Sequence, residues 1–233
     1  MPDRPLSSAE MKRMAAVEAL MHIHDGCQLG LGSGSTAEIF VEELAKKVAQ
    51  GLSVRCCSTS ERTAALARSH GIEVLPLESF NLLDVTVDGA DEIDPQLNLI
   101  KGGGACHLRE KVVASYSERL VIIADESKLV KQLGAFRIPL EVIPFSLPAV
   151  LRSVAAIRGN LACEQRLADG EAVMTDEGNL VLDADFGLIS DPALLAAQLG
   201  AVPGIVEHGL FVGMAEVAYV GCQSGLRILK PQP

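Results

Sequence analysis

Tryptophan is absent from this chain of 233 residues, and aromatic residues make up only 3%. The core must therefore be packed from Val, Leu, Ile and Ala. No apolar run is long enough to span a bilayer, because Gly, Pro or a charge interrupts each one. Basic residues are scarce: 20 Lys and Arg stand against 30 Asp and Glu, a net charge of −10. That balance argues against nucleic acid or an anionic membrane as the main partner, since phosphate backbones attract basic surfaces. A small anion can still be held by a local cluster of amides and lysines. The segment Met1-Pro2-Asp3-Arg4-Pro5 carries no apolar signal-peptide core, so a cytoplasmic protein is expected. The six cysteines (Cys27, Cys56, Cys57, Cys106, Cys163 and Cys222) form neither a Cys-x-x-Cys pair nor a Cys/His ligand spacing. They read as free thiols of a reducing compartment, with Cys56 and Cys57 on opposite faces of one strand.

Against these absences, 48% of the residues are hydrophobic and 21% charged. A chain of this length buries roughly 70–75% of its unfolded surface. The spacing predicts a helix over 7–24, opened by a Ser7-Ser8-Ala9-Glu10 cap and striped by Met11, Met14, Val17 and Met21. Strands are expected at 27–31, 54–57, 73–75, 82–87 and 120–124, alternating with helices at 36–49, 60–70 and 105–117. Such alternation implies right-handed crossovers and a parallel, Rossmann-like α/β sheet. After about residue 130 the rhythm changes. Strands are expected at 138–143, 160–165, 171–174 and 180–183, and helices at 147–157 and 191–198. Asp176-Glu177-Gly178-Asn179 has strong turn chemistry and predicts a hairpin between 172–175 and 180–183. The second region therefore reads as a smaller inserted α+β domain of ferredoxin-like character. Strands at 215–220 and 226–229 return to the main sheet. The expected division is 1–130 plus 208–233 for the α/β domain and 131–207 for the small one.

Four loops carry the chemistry. Gly30-Leu31-Gly32-Ser33-Gly34-Ser35-Thr36 lies between a strand and a helix, where unpaired amides and the helix dipole form an anion site. Its spacing is G-x-G-x-G, with Ser35 where a dinucleotide fingerprint has its third glycine. The second strand ends in Cys56-Cys57-Ser58-Thr59, without an acid for a ribose. No G-x-x-x-x-G-K-[ST] motif is present. The hydroxyls of Ser33, Ser35 and Thr36 suit a terminal phosphate monoester, although a flexible turn with a helix cap uses the same residues.

Asp88-Gly89-Ala90-Asp91 closes a buried strand, and two nearby carboxylates can be driven apart in pKa to serve different roles. With Glu92 and Asp94 they also resemble a divalent-metal site or plain turn-forming acids. Lys101-Gly102-Gly103-Gly104 brings bare backbone and a positive charge that can stabilise an oxyanion. Glu110 is the natural general base if its helix face turns inward, while Arg109 and Lys111 beside it also fit a solvated face of routine ion pairs. Lys128, after the strand at 120–124, is placed to reach a phosphate. His107 beside Cys106 is a poor nucleophilic pair, since adjacent helical side chains diverge.

Together these motifs resemble the type A ribose-5-phosphate isomerases. The likeness rests on Gly-Ser-Gly-Ser-Thr, Val-Asp-Gly-Ala-Asp-Glu-Ile, Ile-Lys-Gly-Gly-Gly-Ala and Arg-Glu-Lys. Asp125-Glu126-Ser127-Lys128, Glu141-Val142-Ile143-Pro144 and Pro203-Gly204-Ile205-Val206 stand in register with it. The resemblance implies interconversion of D-ribose 5-phosphate and D-ribulose 5-phosphate with no cofactor and no metal. Glu110 would be the base, with a pKa raised by burial; Lys101 would stabilise the enediolate, Asp88 would assist ring opening and Asp91 would orient hydroxyls. Ser33, Gly34, Ser35, Thr36, Gly89, Ala90, Gly102, Gly103, Gly104 and Lys128 would bind substrate, and Lys12 the phosphate. The family also implies a homo-oligomer, dimer or tetramer. Ser33 stands where Thr is common, and Cys106-His107-Leu108 replaces a small-apolar-Thr stretch. The competing readings are a sugar-phosphate sensor without turnover and an amino-sugar-phosphate isomerase/deaminase.

Overall fold

Ser7 starts the first helix as the cap motif requires: its hydroxyl accepts from the Glu10 amide while the Glu10 carboxylate accepts from the Ser7 amide. Similar local signals start two other helices. Ser60 caps a helix through Thr63, and Asp191 caps one through Leu194, each with its side-chain oxygen accepting an otherwise orphaned amide.

The computed structural model describes residues 4–159 and 162–231. In chain order it contains α1 (Ser8–Ala19), β1 (Cys27–Leu31), α2 (Ser35–Val48), β2 (Val54–Ser58), α3 (Glu61–Ser69), β3 (Glu73–Val74) and β4 (Val85–Asp88). Next come β5 (Glu92–Ile93), β6 (Leu99–Ile100), α4 (His107–Ser115), β7 (Leu120–Asp125), β8 (Ile138–Val142), α5 (Leu147–Arg158), β9 (Cys163–Gln165) and β10 (Leu167–Ala168). The chain ends with β11 (Glu171–Ala172), β12 (Leu180–Ala184), α6 (Pro192–Gly200), β13 (Ile205–His208), β14 (Leu210–Phe211), β15 (Ala215–Cys222) and β16 (Gly225–Leu229).

Two compact units result. The first comprises Met1–Ala90, Arg109–Leu129 and Met214–Pro233; the second comprises Asp91–Leu108 and Val130–Gly213. The first is built on a seven-stranded sheet of order β16-β15-β7-β4-β1-β2-β3, parallel throughout except for β16. Period-two alternation sends Cys27, Leu29 and Leu31 of β1 into one core with Ala15, Phe40, Leu44 and Ala67. Cys56 belongs to that core, whereas Cys57 joins a second cluster with Phe80, Leu83 and Val113, so the two thiols do face opposite ways. No two of the six cysteines are joined in a disulfide.

The second unit holds a four-stranded antiparallel sheet of order β13-β8-β12-β9. In chain order this is β-α-β-β-α-β with the strands arranged 4-1-3-2, which is the ferredoxin-like arrangement. Its core joins Leu140 and Val142 to Val150 and Val154 of α5 and to Leu195 and Leu199 of α6. A small sheet of order β14-β6-β5 and the antiparallel pair β10-β11 belong to the unit as well; β5, β6 and β14, like β13, carry too little periodicity to be seen in the sequence.

Two expectations need correcting. The methionine stripe of α1 is not its buried face: Met11 is buried with Ala15, Ala16 and Ala19, while Val17 is 49% and Met21 69% exposed. Small residues are required because α1 lies directly on β15, where a Cβ at Gly221 would overlap the Met11 carbonyl. The hairpin between 172–175 and 180–183 is reduced to one bridge, Met174 to Leu180. The 176–179 turn does form, with the Thr175 amide donating to the Asn179 carbonyl at 2.9 Å, but β12 takes β8 and β9 as its ladder partners. The strand expected from residue 160 begins at Cys163, and residues 160 and 161 lie outside the described residues.

Gly221→Ala should force α1 away from β15, an overpacking cost of about 1–3 kcal/mol. Thermal unfolding should fall by roughly 2–4 °C per kcal/mol. An unchanged melting temperature would show that the helix does not lie this close.

Candidate active site

The chain runs β1, β2, β3 outward in one direction, then returns to place β4 on the other side of β1. Ligands of open α/β sheets bind at such a switch, beyond the carboxyl ends of the strands. Here those ends deliver the Gly32–Thr36 loop from β1 and Asp88 from β4. The Gly32 amide donates to the Val87 carbonyl at 2.9 Å. Glycine is needed there, since a Cβ would overlap the Asp88 carboxylate and approach its Cα at 2.6 Å.

Asp88 is 1% exposed. Its Oδ1 accepts two backbone amides, from Ser33 at 3.1 Å and Gly89 at 2.7 Å. A buried carboxylate needs such donors to offset its lost hydration. Glu110 faces inward from α4 and is buried as well. The Ser33 hydroxyl donates to Glu110 Oε1 at 2.5 Å. Its neighbour Arg109 takes the surface role instead, pairing with Glu61 of α3 at 2.9 Å. The ion-paired face and the inward glutamate thus both exist, on adjacent residues. Ser33, Asp88 and Glu110, distant in sequence, form one connected cluster.

A cationic end lies on the same unit. Gly34, at φ +86°, precedes α2 and offers no side-chain cap, so the first amides of that helix remain available to an anion. Exposed Ser35 and buried Thr36 begin the helix. Lys12 of α1 donates to Ser35 Oγ at 2.9 Å and lies 3.9 Å from Asp125 Oδ2. Lys128 ends the short 3-10 turn that follows β7. Burial alone would raise the Asp125 pKa, but the Ser127 hydroxyl and amide, the Ser8 hydroxyl and Lys12 outweigh it and hold the carboxyl below its usual range.

In the second unit, the Asp91 amide donates to Ile100 O at 2.8 Å, and Asp91 Oδ2 accepts the Gly103 amide at 2.7 Å. Lys101 is 2% exposed, with its Nζ 5.4 Å from the centre of the Phe211 ring. Its amide donates to Gly209 O at 2.8 Å. Gly102 has φ +101°, which a side chain would strain, and Gly103 and Gly104 are exposed. Glu92 and Asp94 are spent on backbone amides. Glu92 accepts the amides of Gly134 and Phe136, and Asp94 those of Gln96 and Asn98. Asp94 is a turn-forming acid, as one reading of that segment held, whereas Glu92, in β5, fastens the distant loop at 134–136.

One contact was invisible in the sequence. Arg166 donates to the carbonyls of Gly102 at 2.8 Å and Gly103 at 3.0 Å while its fork grips Asp183 at 2.9 and 2.5 Å. It pins the glycine loop through a bidentate ion pair. No motif marks it; only the antiparallel placement of Arg166 beside β12 brings it to Asp183.

The Asp125 arrangement gives a pH test. Because its folded pKa lies below the unfolded value of about 3.9, its stabilisation is present above about pH 4 and disappears as the pH falls through the folded value. Asp125→Asn should cost about 1–2 kcal/mol at pH 7. The difference from wild type should close under acid denaturation, and a penalty constant down to pH 2 would contradict this.

Comparison with known proteins gives the family. Residues 55–225 match the family model described as ribose 5-phosphate isomerase A (phosphoriboisomerase A). The chain is 49% identical over 231 residues to ribose-5-phosphate isomerase A of Rhodopseudomonas palustris (strain BisB18), covering 97% of this chain and 99% of that one. It is 47% identical over 230 residues to the Bradyrhizobium diazoefficiens protein of the same name, covering 95% of each. Among solved structures, a D-ribose-5-phosphate isomerase in complex with phospho-erythronic acid is similar with a TM-score of 0.93 at 37% identity, covering 97% of this chain and 100% of that one. Ribose 5-phosphate isomerase from Plasmodium falciparum is similar with a TM-score of 0.92 at 34% identity and the same coverage. With the family model matched over residues 55–225 and relatives of 47% and 49% identity covering 95% and 97% of its length, the chain belongs to the ribose 5-phosphate isomerase A family.

Proposed function

We propose that this chain interconverts D-ribose 5-phosphate and D-ribulose 5-phosphate, in the non-oxidative branch of the pentose phosphate pathway. Family membership supports the reaction. The observation that carries its chemistry is Glu110, a buried carboxylate whose rotamer is held by the Ser33 hydroxyl. A base so fixed is pre-positioned for a carbon-bound proton.

In the aldose-to-ketose direction, Glu110 removes the C2 proton of the opened sugar to give a cis-enediolate. The same carboxyl then returns the proton to C1, while the hydroxyl hydrogen leaves O2 and O1 gains one. Asp88 assists ring opening and the exchange among oxygens. Lys101 stabilises the negative charge that develops on the oxygens. Asp91 orients the hydroxyls. The backbone of Gly89, Ala90 and Gly102–Gly104 approaches the sugar. Ser33, Gly34, Ser35, Thr36 and Lys128 bind substrate, with Lys12 at the phosphate, where the amides at the start of α2 favour an anion. No metal or cofactor enters this scheme. Lys12 is held beside Ser35 by its pairing with Asp125, so the cationic end is assembled before substrate arrives.

We further assign the protein to the cytoplasm, as a homodimer or tetramer that takes neither nucleic acid nor membrane as partner. Its net charge of −10 supports the last point. No helix among the described residues is long and apolar enough to cross a membrane.

The test is ketose formation from D-ribose 5-phosphate in the presence of EDTA. Wild type should turn over, and Glu110→Gln should bind the sugar phosphate but lose about 10³-fold or more in kcat, because the amide cannot accept the proton. Wild-type-like turnover in Glu110→Gln would remove Glu110 from the mechanism. Ser33→Ala should lower kcat about tenfold or more, while Ser33→Thr, which keeps the hydroxyl, should stay near wild type. Equal rates in the two variants would show that the hydroxyl does not hold the base.

A further inference from the structure

At the opposite, amino-terminal end of the same strands lies a second group of side chains that the isomerase chemistry does not use. Cys27 is the first residue of β1, and Asp84 immediately precedes β4. His24 sits in the tight turn that feeds β1. One ligand atom from each of the three, an imidazole nitrogen, a thiol sulfur and a carboxylate oxygen, lies within 4.8 Å of the others. We propose that His24, Cys27 and Asp84 form a binding site for a zinc-class divalent cation that ties the start of β1 to the start of β4.

The donor set selects the metal. Mixed nitrogen, sulfur and oxygen ligands suit a borderline cation such as Zn²⁺ or Co²⁺, and three protein ligands leave the fourth tetrahedral position to water. Metal bonds of about 2.0–2.3 Å put tetrahedral ligands roughly 3.3–3.8 Å apart, so the three groups must close by about an ångström. His24 can supply that movement, because its side chain is 64% exposed. Thiolate and carboxylate together bring two negative charges, which balance the dication. The Cys27 proton leaves to solvent as the metal enters. Arg119 is the opposing charge near Cys27, and its guanidinium is directed toward His22 Nδ1 at 3.4 Å.

The ligands are also oriented from behind. His24 Nδ1 lies 3.0 Å from the Asp25 carbonyl. With the proton on Nδ1, the lone pair is on Nε2, the nitrogen that lies 3.9 Å from Asp84 Oδ2. A backbone carbonyl fixing the tautomer of a ligating histidine is the usual outer-shell arrangement of metal sites. Asp84 Oδ2 accepts the Gln28 amide at 2.7 Å, which fixes the carboxylate plane. The turn itself is pinned: the Cys27 amide donates to the His24 carbonyl at 3.2 Å, and the Gly26 amide to Ser53 O at 2.8 Å. A five-residue strand, roughly 15 Å long at about 3.3 Å per residue, separates this group from the Ser33 loop.

The test is a Co²⁺ titration of the full-length chain, followed by displacement with Zn²⁺. One equivalent should bind and produce a near-ultraviolet thiolate-to-cobalt band with tetrahedral visible bands. His24→Ala, at an exposed position, should weaken Zn²⁺ binding by at least the roughly 10–100-fold that loss of an outer-shell partner costs. Asp84→Asn should weaken it likewise, and Cys27→Ser should abolish the thiolate band. Absence of that band in wild type would overturn the proposal. So would a band that persists in Cys27→Ser, which would place the metal on another cysteine. If Cys27→Ser does not fold, unchanged affinity in both His24→Ala and Asp84→Asn overturns it by itself.

Discussion

The first unit depends on one close approach, that of the Gly32 backbone to Asp88. Parallel pairing of β1 and β4 brings the two strand ends together, and only a residue without a side chain fits between them. Once that approach is made, the Ser33 amide reaches the Asp88 carboxylate and the Ser33 hydroxyl reaches Glu110. Three residues separated by 55 and 77 positions from Ser33 outward are thereby fixed in one hydrogen-bonded group. Burial makes the group cooperative: each carboxylate needs its donors, because an unsatisfied buried charge costs several kcal/mol. Gly30 repeats the device one pleat earlier, where a Cβ would overlap Thr86 and meet Val113 of α4. The helix that carries Glu110 is therefore held close to β1 by glycine as well.

Charge is organised locally against the global balance. A chain with ten excess negative charges concentrates Lys12, Lys128 and the uncapped start of α2 at one end of its sheet. Asp125 keeps this cluster from being merely cationic: it holds Lys12 beside Ser35 and is itself held by Ser8 and Ser127. A lysine tethered in this way loses less side-chain entropy when an anion binds. The repulsion that the surrounding acids exert on a phosphate is screened beyond about 10 Å, while amides and ammonium act at contact. The acidic composition therefore disfavours a polyanion and still leaves room for local binding of one small anion.

Much of this was legible in the sequence, because the signals were local. Cys27–Leu31 is an apolar strand read to its residue, Ser7, Ser60 and Asp191 are caps that mark helix starts, and the glycine loops announce strand ends. The misreadings came where tertiary contact decides. Helical periodicity places Met11, Met14, Val17 and Met21 on one stripe, but β15 admits α1 only on its alanine side. The 176–179 turn chemistry is sound, yet β12 finds longer partners in β8 and β9 than in the residues before the turn. Two-residue strands such as β5, β6 and β14 have no periodicity to detect. For the same reason Arg166 was missed: its value lies wholly in what Asp183 and the Gly102–Gly103 carbonyls present to it. No Cys/His ligand spacing is read from His24 and Cys27, although they stand three positions apart, since the third ligand lies 57 residues beyond Cys27 and only strand pairing brings it near.

The two ends of a parallel sheet are under different constraints, and this chain uses both. At the carboxyl ends, strands open into loops whose amides and side chains converge, so each residue there is restricted by several others. At the amino ends, β1 and β4 are held by the Asp84 amide donating to Gln28 O and by the Gln28 amide donating to the Asp84 carboxylate. A histidine, a thiol and a carboxylate can gather at such an edge without disturbing Ser33, Asp88 or Glu110, since a rigid five-residue strand lies between. A cation gripping Cys27 and Asp84 would act on the β1–β4 pair, and that pair sets the approach of Gly32 to Asp88. The two ends are thus chemically independent and mechanically joined through the same two strands.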